Sequence, residues 1–310
     1  LSSQTPYMIY ITYSLISGIG CGLSYCTVLA VLQKWYSARM GFVTGISVSF
    51  FGLSVVLLTP FTQSLLNSGG VPYTFRTLSI IFFAITLIAA LFLRNPDKEY
   101  YYSEISKVIA PENVRQFKPS QMVLSPSYYY ILFSAFTSSA GYLLMVPFIT
   151  TIASYRGMSE SLGLLSVMCT GIANALGRIL APMVSDKLGR TRTAIICTLI
   201  ASISCALMIF AKDSLFVIDV FLIAFAYGSM SGINPVITTE LFGARHSGAN
   251  YGLVLISIGA SSIVFGKIAA SVGAGGSFST VFFICSLVCL VPVPLMILLK
   301  RRCKRLGKDI

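Results

Sequence analysis

The sequence predicts an all-α, polytopic bundle of transmembrane helices. Three observations carry that reading. Of the 310 residues, 55% are apolar and only 10% are charged, where a soluble domain carries about 25% charge. Mean hydropathy is +0.83. Nine segments are mainly apolar over the roughly 20 residues that a helix needs to cross a ~30 Å hydrocarbon core. A chain this poor in ionisable groups cannot solvate its own surface, so disorder, collagen, a coiled coil and a disulfide scaffold are excluded.

The nine segments fall at about 7–32, 41–66, 74–93, 128–153, 161–184, 193–211, 214–239, 247–271 and 278–299. The polar stretches between them are too short for a soluble domain. The longest, Arg94 to Ser127, holds Pro96, Pro111, Pro119 and Pro126 among scattered charges and reads as a linker. Residues 301–310 form a basic tail.

Lys and Arg set the orientation. With the C-terminus in the cytoplasm, 17 of the 22 basic residues fall inside, and only Arg76, Arg156 and Lys212 fall outside. That is a strong positive-inside bias. It also explains the net charge of +12 by loop placement, with no nucleic-acid partner needed. The basic tail then fixes orientation, with some attraction to anionic lipid. Nine spans and an inside C-terminus put the start of the chain outside. The chain opens on Leu1 with no signal peptide, which is expected of a fragment. The eight cysteines lack metal-ligand spacing with the single histidine, His246, and read as small packed hydrophobes. No metal or cofactor is expected.

An internal repeat sets the architecture. At an offset of about 206, Gly22 falls on Gly228, Tyr36 on Phe242, Ala38 on Ala244 and Arg39 on Arg245. One residue further, Gly41 meets Gly248, Gly45 meets Gly252 and Gly52 meets Gly259. The repeat unit is six helices, so the first span pairs with the seventh. Partners for spans four to six would precede the first span, which predicts twelve helices in two parallel-related halves.

Three segments carry a resemblance. They are Gly18-Ile-Gly-Cys-Gly-Leu-Ser-Tyr25 with Lys34-Trp-Tyr-Ser-Ala-Arg39-Met-Gly41, then Asn174-Ala-Leu-Gly-Arg178 with Ser185-Asp-Lys-Leu-Gly-Arg190-Thr-Arg192, and Glu240-Leu-Phe-Gly-Ala-Arg245-His-Ser-Gly-Ala-Asn-Tyr-Gly252. Together they resemble the major facilitator superfamily, in its oxalate/formate-antiporter and monocarboxylate-porter branch. Pro182 and Thr191 depart from the usual loop signature, where Gly and a second basic residue stand. The resemblance implies nine of twelve spans. Residues 1–94 would be the last three helices of the N-terminal half, 95–127 the cytoplasmic linker and 128–300 the six-helix C-terminal half.

Span five carries the candidate chemistry. Ser166, Thr170, Asn174 and Arg178 recur every four residues and share a helix face. Arg178 lies eight residues before Asp186, or about 12 Å along a helix, inside the hydrocarbon slab. There an Arg costs roughly 2.5–3.5 kcal/mol or more, so it should face a wet cavity or an anion. Its fork suits a carboxylate. The resemblance implies that Arg178 holds a substrate carboxylate. The alternative is that it snorkels to the headgroups or pairs with Asp186. Monocarboxylate/proton symporters often carry an acid where Asn174 stands. A neutral amide takes up no proton, which leaves exchange, facilitated flux or coupling elsewhere open.

Span seven offers Tyr227, Ser231, Asn234 and Thr238 on one face. Pro235, Gly228 and Gly232 suit either a gate or close packing. Tyr25 and Tyr142 are further candidates for lining the cavity, each equally readable as packing. Asp219, near the outer end of span seven, is expected to reach water. In span eight, Ile258 precedes Gly259 where oxalate exchangers of this branch carry a Lys. One buried cation fits one carboxylate, which favours pyruvate, lactate or formate over a dicarboxylate. The resemblance further implies a conformational latch of Asp186, Arg190 and Arg192, the alternative being simple positive-inside charge.

No enzyme is indicated. Gly18, Gly20 and Gly22 lie mid-span, where a dinucleotide fingerprint cannot work. The expected partners are a small organic anion, a coupling proton or counter-anion, and the bilayer. The competing readings are a drug or other solute transporter of the same fold, and a non-transporting membrane sensor or structural subunit.

Overall fold

The computed structural model describes residues 8, 10–97, 99–100, 103, 116–273 and 278–305. Residues 98, 101–102 and 104–115 of the linker, the first residues of span one, residues 274–277 and the tail beyond 305 lie outside the described residues. Among the described residues there is no strand. Twelve helices are numbered here in chain order. The first two are α1 (Ser17–Trp35) and α2 (Met40–Phe92). After the linker come α3 (Pro119–Val123), α4 (Pro126–Ser138), α5 (Ala140–Met145) and α6 (Ile149–Tyr155). Then follow α7 (Glu160–Leu188), α8 (Arg190–Leu207) and α9 (Asp213–Phe242). The last are α10 (Ser247–Gly273), α11 (Phe278–Val288) and α12 (Pro292–Arg305).

Among the described residues, eight helical stretches are long and apolar enough to cross a membrane. Across the expected span 41–66 α2 is continuously helical. The helix itself runs on, and α2 breaks at Gly70, whose φ is 69°. That left-handed conformation suits Gly, and here it separates the second expected span from the third.

Two other expected spans are helices in pieces. The segment 128–153 is α4, α5, a 3₁₀ turn at Val146–Phe148 and α6. Pro147 has no N–H to give the ladder, which accounts for the 3₁₀ turn. The segment 278–299 divides into α11 and α12, which restarts on Pro292 at a position where a missing N–H costs nothing.

The chain forms two compact units. The first comprises Leu1–Ala38 and Ser54–Val114, and the second Arg39–Leu53 and Arg115–Ile310. In the first, the end of α1 is tied to the residues after α2. The Trp35 indole N–H donates to the Arg94 carbonyl at 2.8 Å and Lys34 donates to Asn95 Oδ1 at 2.9 Å. Tyr13 meets Phe75 edge-on at 6.1 Å.

The second unit holds a continuous apolar core in which Leu144, Met145, Phe216, Ile223, Phe265 and Phe282 are buried. Its most extensive contact is between α7 and α9. The end of the linker docks on this unit. The Phe117 N–H donates to the Phe242 carbonyl at 2.8 Å, Asn250 Nδ2 donates to the Phe117 carbonyl at 3.1 Å, and the Arg245 N–H donates to Gln116 Oε1 at 2.9 Å.

Candidate functional site

The α7 stripe turns inward. Ser166, Thr170, Asn174 and Arg178 are all buried, while Leu165, Met168, Ile172 and Leu176 on other faces are exposed. Period-four polarity has sorted the helix into a protein side and a lipid side. The outer half of the stripe satisfies itself. The Ser166 hydroxyl donates to the Leu162 carbonyl at 2.8 Å, and Thr170 to Val167 at 2.7 Å.

The inner half reaches across helices. Arg178 is 8% exposed. Its Nε donates to Asn174 Oδ1 at 2.6 Å, and its Nη1 donates to the Val48 carbonyl at 3.2 Å. Asn174 Nδ2 donates to the Tyr142 hydroxyl at 3.2 Å. The Tyr142 ring stacks on Tyr227, with centroids 4.1 Å apart and planes within 7°. Four of the six residues expected at the site therefore form one chain of contacts, Arg178–Asn174–Tyr142–Tyr227. Asn174 holds the guanidinium with one end of its amide and the tyrosine with the other, which fixes the direction of the fork.

Asn234 is buried separately on α9, and its Oδ1 has no hydrogen-bond partner among the described residues. Tyr25 stands half-buried on α1, in the first unit.

Small residues bring the backbones this close. A Cβ at Gly177 would collide with the Phe225 carbonyl, and one at Gly228 would strike the Asn174 carbonyl. A Cβ at Gly232 would stand 2.7 Å from Pro182 Cγ. The glycines of α9 thus serve close packing against α7. On α2, Gly41, Gly45 and Gly52 play the same part: added Cβ atoms would meet Asp186 Oδ1 at 2.5 Å, the Arg178 carbonyl at 2.6 Å and the Gly171 carbonyl at 2.9 Å. This approach puts the Val48 carbonyl within reach of Arg178. The sequence had shown those glycines only as a repeat.

At the end of α7, Gly189 adopts a φ of 89°, turns the chain and starts α8 on Arg190. Arg190 is 7% exposed. Its Nη1 pairs with Asp186 Oδ1 at 2.5 Å, and its Nη2 and Nε meet Glu240 Oε1 at 2.6 and 3.0 Å. Nη1 also donates to the Ser185 hydroxyl at 2.6 Å. Of the expected latch, Asp186 and Arg190 are joined, while Arg192 is exposed and outside these ion pairs. Glu240, on α9, is the member that sequence reasoning missed. It lies in a motif that the sequence analysis singled out, but nothing local ties it to a residue 50 positions away.

Asp219 overturns an expectation. It is 0% exposed, and neither carboxylate oxygen has a hydrogen-bond partner among the described residues. The first turns of α9 pack into the core through Phe216 and Val220 and carry Asp219 in with them. The neighbouring Arg156 donates to the carbonyls of Ala211 and Met208 at 2.5 and 2.6 Å, with its guanidinium over the Phe216 ring. Among the described residues, no group of three or more His, Cys, Asp or Glu is placed to hold a metal ion.

The family model described as Major Facilitator Superfamily matches residues 1–181 and 131–307. The oxalate:formate antiporter of Oxalobacter formigenes is 23% identical over 286 residues, covering 91% of this chain and 67% of that protein. Human monocarboxylate transporter 10 is 26% identical over 196 residues, covering 60% of this chain and 37% of that protein. The first curated relatives are matched over 64% to 67% of their own length, so the chain spans about two thirds of them. Among solved structures, the Escherichia coli fucose:proton symporter superposes with a TM-score of 0.65 at 17% identity, over 93% of this chain and 78% of that one.

Proposed function

The chain belongs to the Major Facilitator Superfamily, and we propose that it works as part of a secondary carrier for small organic anions, with monocarboxylates as cargo. The observation that carries this reading is Arg178. It is a guanidinium buried in a membrane-spanning helix, where it donates to the Asn174 amide and the Val48 carbonyl. A cation so placed is costly in hydrocarbon. Its planar fork matches a carboxylate bidentately. The names of the relatives, an oxalate:formate antiporter and monocarboxylate transporters, support anionic cargo.

In this reading Tyr142, Tyr227 and Asn234 line the path of the anion, and Asn174 positions the fork. Ile258 in place of a second cation favours one carboxylate over two. The Asp186–Arg190 pair, extended by Glu240, is the latch that favours one conformation, since ion pairs present in one state and broken in the other make a two-state device. Alternating access proceeds by rocking of two helical halves about a midplane site, with the C-terminus in the cytoplasm. Because Asn174 carries no proton, any proton coupling runs through another group, and exchange against a counter-anion fits equally.

The test is uptake of labelled lactate, pyruvate and formate into liposomes holding the full-length protein. Arg178→Ala should abolish uptake and Arg178→Lys should recover little, because an ammonium lacks the fork. Unchanged uptake by Arg178→Ala would remove this residue from the mechanism.

A further inference from the structure

The C-terminal helix divides sharply by chemistry. From Pro292 to Leu299, α12 has no charged residue, whereas Lys300, Arg301, Arg302, Lys304 and Arg305 follow within six positions. No acid lies anywhere in α12. Six residues of helix span about 9 Å, so these charges are concentrated within the reach of one lipid headgroup.

This basic end is held rigidly. Met296, Leu299 and Cys303 are buried along one face, and α12 packs against α4 and α8. Cys303, 1% exposed, sits among the bases and pins them to the bundle. Arg301, Lys304 and Arg305 are exposed, while Lys300 and Arg302 are half-buried. The Nε of Arg302 is buried and has no hydrogen-bond partner among the described residues.

One turn deeper the surface is apolar. Ile297 and Leu298 are 40% and 43% exposed. Ile297 stands four residues before Arg301, and Leu298 four before Arg302, so each apolar side chain shares a face with a guanidinium. The exposed stripe therefore passes from acyl-chain chemistry to phosphate chemistry within one turn. A soluble anion would use only the second part.

We propose that the end of α12 is a binding site for an anionic phospholipid whose headgroup carries several negative charges, with Arg301 and Arg302 gripping phosphate and Ile297 and Leu298 lying along the acyl chains. Five bases on a helix that carries no acid match a polyanionic headgroup better than a singly charged one. Orientation alone requires only a number of charges. It does not require that they be fixed on a helix, nor that one guanidinium nitrogen be buried without a partner. The site is independent of the cargo path and stands whether or not Arg178 binds an anion.

The experiment uses purified full-length protein in mixed micelles, with short-chain phosphatidylinositol bisphosphate as probe, phosphatidylcholine as comparison and inositol trisphosphate as the headgroup without chains. Retained lipid is read by native mass spectrometry. The bisphosphate lipid should bind at least about tenfold tighter than phosphatidylcholine and than inositol trisphosphate. Each base is expected to contribute roughly fivefold. Arg302→Gln should therefore weaken binding about fivefold, and neutralising all five bases to Gln should bring it to the phosphatidylcholine level. The thermal unfolding midpoint of each variant checks folding. If the fivefold variant does not fold, Arg302→Gln alone carries the test. Equal binding of both lipids, full binding by Arg302→Gln, or inositol trisphosphate binding as tightly as the lipid would overturn the proposal.

Discussion

Arg178 and Asn174 show how a single side chain sets the charge of a site. The two are four residues apart on one helix face, and the amide oxygen accepts from Nε at 2.6 Å. An acid at that position would become an internal counter-ion for the guanidinium. A unit charge pair about 4 Å apart at an effective dielectric near 20 is worth roughly 4 kcal/mol, which is ample to compete with the proposed carboxylate cargo. Asn174→Asp is therefore expected to lower anion uptake more than about tenfold at neutral pH, with unchanged protein yield, measured in the liposome assay. The spacing of these two residues was legible in the sequence. Their partners were not: Val48 and Tyr142 stand 130 and 32 positions away in the chain. Asp219 was misread for the same reason. Nearness to a helix end suggests water, and packing of Phe216 and Val220 into the core decides otherwise.

Helix pairing turns those residues into a site. The α7–α9 contact depends on backbones touching at Gly177 and Gly228. Gly177→Ala should cost about 1–3 kcal/mol through overpacking and lower the thermal unfolding midpoint by several degrees. Gly163→Ala on the same helix, where a Cβ would sit 3.4 Å from Ala153 Cβ in ordinary contact, should be neutral or slightly stabilising. At the end of the same pair, Arg190 bridges Asp186 and Glu240. Removing one partner of a buried pair costs about 3–5 kcal/mol. Here the acid side chains are 32% and 21% exposed and Arg190 keeps Asp186, which reduces the expected cost of Glu240→Gln to about 1–2 kcal/mol. Arg192→Ala, at an exposed position, should leave the unfolding midpoint unchanged. Equal effects of the two substitutions would deny Glu240 its place in the network. In the sequence Gly41, Gly45 and Gly52 stood out only as a repeat, and that they pack, and on which helix, is a matter of tertiary contact.

For the molecule as a whole, membrane insertion follows from composition and the direction of insertion from charge. In the orientation that would put 17 of the 22 basic residues on the cytoplasmic side, a tag placed after Ile310 is expected to react with impermeant reagent only from the cytoplasmic face, as measured in intact and permeabilised cells. Reaction from outside would invert every loop assignment. Sequence alone determined the helical class and the polar stripe of α7, because hydropathy and period-four polarity are properties of contiguous residues, and three local motifs carried the resemblance to the family. Only the tertiary structure decided that α9 glycines serve packing, that Glu240 joins Arg190, that Asp219 is enclosed, and that Tyr142 and Tyr227 stack beside Asn174. Each of these is a meeting of residues distant in the chain, and such meetings depend on how helix surfaces fit one another, which no periodicity along a single helix encodes.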